Sequence, residues 1–393
     1  MTGSGAARAR VVVLRGHHAN VWDLRPLEAL RGEYDIGVLV TGSNLHEVES
    51  VDLQLREVRT PRDMLPAGRA AGVLAYVAGE RYLGLEERLG GTDIVHTAEL
   101  GTWFSAQAAR LRSRLGFRLV VTVWETIPWR DSYRWPRERR YRRDVIAAAD
   151  LFLAVTERAR EALLLEGVPA DRIEVCPPGV DLERFRVAPA ERPAADRHRI
   201  VSAGRLVWEK GHQDVLRAVA ALRAGVVGAP RSDVELLVVG SGPEAARLER
   251  YAGELGLQDA VEFRPTVPYD EMPRLYASAS VLVLASLPAK AWEEQFGMVL
   301  VEAQAAGTSV ITTRSGAIPE VVGEDAELFA PGDWPELARL LAVGPLAGAP
   351  AARREVDRER LARFSTEAAA TRLRSAYERV RTSPGSAPRP SAS

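Results

Sequence analysis

The sequence predicts an α/β protein with two domains, each a doubly wound parallel sheet with helices on both faces. Short apolar runs alternate with helical segments from one end of the chain to the other, which is typical of such sheets. The chain has 393 residues, a length that exceeds one ordinary core and suits two domains. A polar, proline-containing stretch at 186–197 separates two series of strands and indicates a linker.

The domain boundaries follow from that linker. We expect a first domain over 1–185 and a second over 198–365. The segment 366–381 has helical periodicity and no strand after it, so it predicts a final helix. Residues 382–393 are rich in Ser, Pro and Gly, a composition that predicts a disordered tail.

Each half carries its own succession of strands. In the first half, the predicted strands are 11–14, 36–40, 94–96, 119–123 and 151–155, and the predicted helices are 23–31, 103–115 and 157–166. In the second half, the predicted strands are 200–203, 234–239, 261–263, 281–285, 310–312 and 328–330.

The composition limits the functional classes. With 52 basic and 53 acidic residues, the formal net charge of −1 gives no argument for a nucleic-acid partner. Cys176 is the only cysteine, so no intrachain disulfide is possible and a reducing compartment is expected. No apolar run reaches the ~20 residues that span a bilayer, and residues 1–10 lack the apolar core of a signal peptide. We therefore expect a cytoplasmic protein.

Two carboxylates in the second half point to a ligand. Glu294 lies just before a Phe-Gly turn, and Glu302 lies inside the apolar helical run that follows. A helix N-terminus attracts phosphate through its unpaired N–H groups. Carboxylates beside a phosphate-binding helix N-terminus would repel the phosphates, so we expect them to bind neutral hydroxyls instead. Hydroxyls on either side of a diphosphate, one set on a sugar and the other on a ribose, fit this layout and indicate a nucleotide-sugar site.

The spacing of Glu294 and Glu302 resembles the E-x7-E motif of retaining glycosyltransferases of family 4, which have the GT-B fold. The surrounding strands at 281–286 and 309–312 and the loop at 316–320 extend the resemblance. It implies two Rossmann-like doubly wound domains that face an interdomain cleft. It also implies that the helix at 366–381 crosses back to the N-terminal domain.

A second motif opens the second half. The turn with Gly204, Arg205 and Lys210 resembles the family's G-R-L-x-x-x-K-G motif, in which Arg and Lys clamp the donor diphosphate. Preorganised cations would stabilise the charge that builds on the leaving diphosphate. Lys210 is one of only two lysines, the other being Lys290.

The resemblance also assigns roles around the donor. It implies that Glu294 holds hydroxyls of the donor sugar and that Glu302 holds the ribose, with Glu294, Arg205 and Lys210 as the catalytic residues. The N–H groups of a short stretch complete the diphosphate cradle: Gly297, Met298 and Val299. No metal-ligand spacing occurs, so we expect no metal and no cofactor, with the nucleotide-diphosphate sugar as substrate.

The base pocket stays unassigned. In the family it is built by a Gly-x-Val turn, and this chain has Pro265 in place of the glycine, followed by Val267. We expect Val267 to line the donor site, but the nucleotide base is left open.

The first half supplies Gly16 as a further donor-binding candidate and His17, Trp124, Glu125 and His96 as acceptor-side candidates. Gly16, followed by His17, is the only glycine where relatives have a Gly-rich loop facing the donor phosphates. Glu125, next to Trp124, stands where relatives often have an acceptor histidine. Either Glu125 takes over the positioning of the acceptor, or the acceptor class differs. His96, at a strand end, is a further candidate.

An arginine-rich segment follows Glu125. Between 129 and 144 there are seven arginines against three acids, a net charge of +4, with Trp and Tyr interleaved. Basic residues mixed with aromatics are typical of a peripheral membrane contact, which here would be at the inner face of the membrane. A solvated, arginine-rich helix start explains the same composition.

The sequence thus predicts a retaining glycosyltransferase that moves a sugar from a nucleotide-diphosphate sugar to a hydroxyl acceptor of unknown identity. A GT-B nucleotide-sugar epimerase, a sugar phosphorylase and a catalytically silent nucleotide-sugar-binding protein stay open as alternatives.

Overall fold

The structure is a computed structural model that describes residues 8–46, 48, 50–65, 73, 74, 77, 79–187, 196–229, 231 and 233–383. The chain divides into two compact units. The first comprises Met1–Gly179 with Thr366–Ser393, and the second comprises Val180–Ser365. The strands of both units pair in parallel.

The first unit contains a seven-stranded sheet with the order β3-β2-β1-β4-β5-β6-β7. Its strands are β1 (Ala9–Leu14), β2 (Tyr34–Val40), β3 (Gln54–Glu57), β4 (Ile94–Ala98), β5 (Arg118–Val123), β6 (Leu151–Ala154) and β7 (Ile173–Val175). Its described helices are α1 (Val21–Glu28), α2 (Leu85–Leu89), α3 (Trp103–Leu115), α4 (Pro136–Ala148), α5 (Glu157–Leu165) and the last helix of the chain (Thr366–Thr382).

Two apolar cores lie on opposite faces of this sheet. Successive side chains of a strand point to opposite faces, so β1 sends Val12 and Leu14 into one core and Val11 and Val13 into the other. Residues of α3 complete the first core, and residues of α1 and of the last helix complete the second. This arrangement is the expected two-sided covering of a parallel sheet.

The second unit repeats the plan with six strands in the order β10-β9-β8-β11-β12-β13. The strands are β8 (His198–Ala203), β9 (Val234–Val239), β10 (Val261–Arg264), β11 (Val281–Leu284), β12 (Ser309–Thr313) and β13 (Glu327–Phe329). The helices are α6 (Leu182–Phe185), α7 (His212–Arg223), α8 (Ala245–Glu254), α9 (Met272–Ala277), α10 (Met298–Ala305), α11 (Ile318–Val322), α12 (Trp334–Val343) and α13 (Arg358–Ala362). The last helix of the chain is therefore α14.

Two strands of the first sheet were not predicted. Strand β3 is polar and partly exposed at the sheet edge, and β7 has only three residues, so neither produces an apolar run. Both lie at the ends of the strand order, where one side of the strand has no partner.

The first unit ends at Gly179, earlier than the expected boundary at 185. The reason is α6, whose Phe185 ring packs on Tyr269 and Tyr276 of the second unit at centroid distances of 5.5 and 5.9 Å. Helix α14 belongs to the first unit and packs against α1. The predicted linker lies largely outside the described residues, as does the predicted disordered tail after 383.

Candidate active site

Lys210 and Glu294 form the centre of the candidate site in the second unit. Lys210 ends the turn after β8, directly before α7, and Glu294 lies in the loop between β11 and α10. The Lys210 Nζ donates to Glu294 Oε2 at 2.6 Å, and the Ser286 hydroxyl donates to the same oxygen at 2.7 Å. The carboxyl ends of β8 and β11, neighbouring parallel strands, therefore bring the two predicted residues together.

Two glycines fix the backbone on which this pair depends. Gly211 has φ +70°, and a Cβ there would lie 1.8 Å from the Ala285 carbonyl oxygen. Gly316 has φ +55°, and a Cβ there would lie 2.1 Å from the carbonyl oxygen of Glu294. Only glycine accepts such conformations without strain, and only glycine leaves room for these backbone approaches. The two turns thus hold Lys210 and Glu294 against the sheet edge.

The pair is shielded but still open to a ligand. The Lys210 side chain is 14% exposed and that of Glu294 is 8% exposed. The Lys210 ammonium also lies 5.0 Å from the centre of the Trp292 ring, a favourable cation–π contact. Because an ammonium has three N–H donors, the bond to Glu294 leaves donors for a further anion.

The N-terminus of α10 follows three residues after Glu294. Gly297 caps this helix with φ +84°, and no side chain caps the first turn. Within the described part of the chain, the N–H groups of Gly297, Met298 and Val299 have no backbone or side-chain acceptor. Met298 and Val299 are half-buried. The three predicted cradle groups are thus available for an anion.

Glu302 lies one turn further into α10 in a buried tyrosine pocket. Tyr269 and Tyr276 donate their hydroxyls to Oε1 and Oε2 of Glu302, each at 3.1 Å. Burial raises the pKa of the Glu302 carboxyl to about 7, and the two tyrosine hydrogen bonds oppose that shift. Neither tyrosine was identified from the sequence, because Tyr269 lies in the loop after β10 and Tyr276 in α9, both outside the motif that contains Glu302.

Arg205 lies on the exposed turn after β8, beside Gly204, whose φ is +153°. The turn is anchored by buried His212, which lies 2.8 Å from Ser202 Oγ through Nδ1 and 3.2 Å from the Arg205 carbonyl oxygen through Nε2. Burial lowers the pKa of His212 to about 4, so its ring is neutral at pH 7 and one nitrogen can donate to that carbonyl. Val267 is half-buried in the loop after β10, two residues before Tyr269.

In the first unit, Glu125 lies in the loop directly after β5. Its carboxylate pairs with Arg130 at 2.5 Å and accepts hydrogen bonds from the N–H groups of Thr126 and Ile127. The N–H of half-buried Trp124 donates to Glu99 Oε1 at 2.8 Å.

Glu99 is a residue that the sequence analysis missed. It directly follows β4 and has φ +66°, a strained value for a residue with a side chain. Burial raises the pKa of its carboxyl to about 7, and the neighbouring Glu125 adds to the shift. A glutamate after a strand has no distinctive motif, so only the backbone conformation marks it.

The other first-unit candidates are buried and bonded. His96 is 2% exposed, with Nδ1 2.8 Å from the Tyr377 hydroxyl and Nε2 2.7 Å from the Thr122 hydroxyl. His17 is 6% exposed and lies 3.0 Å from both the Thr41 and Ser43 hydroxyls. The N–H of Gly16, with φ +59°, donates to a tyrosine hydroxyl. The geometry of His96 suits a structural role.

The chemistry available in the second unit is anion and hydroxyl binding. It combines a lysine, an exposed arginine, an uncapped helix N-terminus and two buried carboxylates. In the described ranges, no three His, Cys, Asp or Glu side chains are grouped as metal ligands. None of the described helices is long and apolar enough to cross a membrane.

Two doubly wound parallel units with this site are the architecture of the GT-B class. Residues 15–184 match the family model described as Glycosyltransferase Family 4, and residues 185–343 match the one described as Glycosyl transferases group 1. The chain is 32% identical to the MMP alpha-(1->4)-mannosyltransferase of Mycolicibacterium hassiacum, over 75% of this chain and 72% of that protein. The chain belongs to glycosyltransferase family 4.

A second relative is the D-inositol 3-phosphate glycosyltransferase of Acidothermus cellulolyticus. It is 32% identical over 67% of this chain and 60% of that protein. Against this and two further proteins of the same name, the chain matches 46–60% of the relative's length.

A solved structure supports the fold. The structure of HepE from Anabaena in complex with UDP and glucose aligns with a TM-score of 0.72 and 17% identity, over 95% of this chain and 100% of that one. The GT-B fold expected from the E-x7-E resemblance is thereby confirmed.

Proposed function

We propose that this protein is a retaining glycosyltransferase that moves a sugar from a nucleotide-diphosphate sugar to a hydroxyl acceptor. The observation that carries the proposal is the shielded ion pair of Lys210 and Glu294, in which Glu294 lies three residues before Gly297, the cap of α10. This combination offers positive groups for a diphosphate and a carboxylate for hydroxyls in the same loop region.

The diphosphate would bind the positive groups. Lys210 keeps N–H donors beyond the one on Glu294, and exposed Arg205 lies on the turn that leads to it. The N–H groups at the start of α10 add the positive end of a helix dipole. As the glycosidic bond breaks, charge grows on the leaving phosphate, and these preorganised groups stabilise it. On this basis we propose that transfer needs no metal ion.

The carboxylates would bind the two sets of hydroxyls. Glu294 is held by Lys210 and Ser286, which leaves Oε1 for hydroxyls of the donor sugar. Glu302 would bind the ribose through Oε1, whose present partner is the half-buried Tyr269. Its other oxygen stays on Tyr276, which is fully buried.

Retention would follow from front-face substitution. The bond from the anomeric carbon to the phosphate oxygen breaks, and the acceptor oxygen bonds to the same face. The acceptor proton passes to the leaving phosphate, so no protein nucleophile is required. The tight bonding of Glu294 to Lys210 and Ser286 favours a positioning role over attack on the sugar. The name of the M. hassiacum relative specifies an α linkage, which accords with this outcome.

The cellular location and a membrane contact are further parts of the proposal. We place the enzyme in the cytoplasm because its single cysteine, Cys176, is buried as a free thiol. Peripheral contact with the inner face of the membrane through 129–143 is compatible with the exposed Trp129 and Trp135.

A donor screen followed by product analysis tests the proposal. Thermal shifts with UDP, GDP, ADP and dTDP and their sugars identify the donor, and proton NMR then follows mixtures with candidate acceptors. We expect a new glycoside. An epimerised donor, a sugar phosphate or tight binding without any product would contradict glycosyl transfer. Lys210→Ala tests the site, with Lys290→Ala, a change at the only other lysine, as the matched control.

A further inference from the structure

A cavity of about 370 Å³ with four arginines in its walls lies in the first unit, next to the loop that follows β5. Its walls come from the segment that leads into α4 and from the first two turns of α4. They are formed by Trp129, Arg130, Asp131, Tyr133, Arg134, Arg139 and Arg142. Arg130 connects this cavity to the acceptor-side candidate Glu125 through their ion pair. We call it the post-β5 pocket.

Buried carboxylates hold the backbone of the post-β5 pocket in place. Glu166, 7% exposed, accepts hydrogen bonds from the N–H of Trp129 and from the Arg142 guanidinium. Trp129 has φ +49°, so it is, like Glu99, a non-glycine residue in a strained backbone conformation. Strained backbone persists where its surroundings enforce it, and it concentrates at ligand sites. The backbone around the pocket is therefore held by defined hydrogen bonds to Glu166.

The cations of the pocket are only partly neutralised. Glu125 and Glu166 pair with Arg130 and Arg142. Arg130 Nε is nevertheless buried without a hydrogen-bond partner in the described structure. A buried N–H without a partner is unfavourable, so the ion pair with Glu125 leaves the Arg130 guanidinium incompletely bonded.

Two further arginines have no carboxylate partner among the residues described. Arg134 stacks on the Trp135 ring at 5.3 Å, and Arg139 donates only to the carbonyl oxygens of Tyr133 and Arg134. Carbonyl groups carry no net charge, so no direct ion pair neutralises either guanidinium group among the described residues, although Asp131 also lines the pocket. Guanidinium groups bind phosphate and carboxylate with paired N–H donors.

We propose that the post-β5 pocket binds a phosphate or carboxylate group carried by the sugar acceptor. The inference rests on the proposed glycosyl transfer and names the acceptor class: an anionic hydroxyl compound. Arg130, Arg134 and Arg139 bind the anionic group, and Glu166 positions the loop by holding Trp129 and Arg142. A soluble phosphorylated sugar and an anionic lipid headgroup share this chemistry.

Fluorine NMR of protein labelled with 5-fluorotryptophan tests binding at this pocket. Trp129 lines the pocket, and its resonance is assigned with Trp129→Phe. Inorganic phosphate is the probe for the soluble source, and sedimentation with phosphatidylglycerol vesicles at low and high salt is the probe for the lipid source. The variant Arg134→Gln/Arg139→Gln removes the two unneutralised cations. Arg88→Gln/Arg114→Gln, at exposed arginines, is the matched control for charge.

We expect phosphate to shift the Trp129 resonance, and the Arg134→Gln/Arg139→Gln variant to weaken that response at least tenfold while the control keeps it. The shift should persist in Arg205→Ala/Lys210→Ala, which separates this pocket from the donor site. Salt-sensitive sedimentation lost in the same pocket variant would also support the proposal and assign the anion to a lipid. If Arg139→Gln disturbs folding, Arg134→Gln alone carries the test, because among the described residues the Arg134 guanidinium contacts the Trp135 ring and makes no side-chain hydrogen bond.

The absence of both a Trp129 response to phosphate and sedimentation with vesicles at low salt would overturn the proposal. So would a response that is unchanged in the pocket variant. A failed donor screen combined with a normal Trp129 response would instead refute the proposed transfer while leaving the anion pocket intact.

Discussion

The substitution Lys210→Met tests how much the Lys210–Glu294 ion pair contributes to the stability of the second unit. The Nζ–Oε2 distance is 2.6 Å, and both side chains are less than one-sixth exposed, at 14% and 8%. Removing one partner of a buried pair leaves the other charge uncompensated, which destabilises by about 3–5 kcal/mol. Ser286 still donates to Glu294, so we expect the lower end, about 3 kcal/mol.

Scanning calorimetry measures this effect. For a unit of this size, 1 kcal/mol corresponds to roughly 2–4 °C in Tm, so Lys210→Met should lower the transition of the second unit by roughly 6–12 °C. The double variant Lys210→Met/Glu294→Gln removes both charges and should recover most of the loss. Lys290→Met, at an exposed lysine, is the control.

Equal shifts for Lys210→Met and Lys290→Met would refute this reasoning. So would a double variant less stable than Lys210→Met, because removing the second charge would then bring no relief. Either result would mean that the pair is not the buried, mutually dependent contact described above.

Further predictions concern the donor site. Arg205→Ala should lower the transfer rate on the order of 10²-fold through lost transition-state stabilisation, and excess EDTA should leave activity intact; reversible loss on chelation would assign that role to a metal. Glu302→Ala should mainly raise KM and Glu294→Ala mainly lower kcat, as steady-state kinetics would separate. The raised pKa of Glu302, about 7 against an ordinary 4.5, means that the folded state holds this proton more tightly. Protonated Glu302 therefore stabilises the fold by up to ~3 kcal/mol below pH ~4.5, and this contribution is lost as the pH rises through 7. Denaturant titrations should show that the free energy of unfolding depends less on pH in Glu302→Gln than in the wild type. An α-linked donor should give an α-linked product by the anomeric coupling in proton NMR, and a β product would promote Glu125 to catalytic base.

Strand positions were predictable wherever a strand is buried on both faces. The run 234–239 was predicted at the bounds that the structure has, because all but one of its residues are buried. The edge strands Gln54–Glu57 and Ile173–Val175 were not predicted, since polar or very short strands give no apolar run. Helix Trp103–Leu115 was also predicted at its observed bounds, since Gly116 follows it in the left-handed conformation.

The residues of the candidate donor site were identified from motifs, but the contacts among them were not. Spacing identified Lys210 and Glu294 separately and assigned them to different parts of the donor. Their direct contact depends on the adjacency of β8 and β11, which are far apart in the sequence. The tyrosine partners of Glu302 likewise come from other elements, so no local pattern indicates them.

The candidate acceptor side was the part least accessible to sequence reasoning. Glu125 was identified because it replaces a family histidine, whereas Glu99 and Glu166 have no motif. Their importance lies in the backbone groups they hold, the N–H of Trp124 and that of Trp129. The positive φ values of Glu99 and Trp129 arise from tertiary contacts, so the sequence does not predict them.

Calorimetric titration of nucleoside diphosphates into the wild-type protein and into Arg205→Ala/Lys210→Ala tests whether this is a nucleotide-sugar site. We expect at least one of UDP, GDP, ADP and dTDP to bind the wild type with one site per chain. We also expect the double variant to lose at least tenfold in affinity while Lys290→Ala does not. No binding by any of the four, or equal binding by the double variant, would contradict the assignment of a nucleotide-sugar site to Lys210, Arg205 and the start of α10.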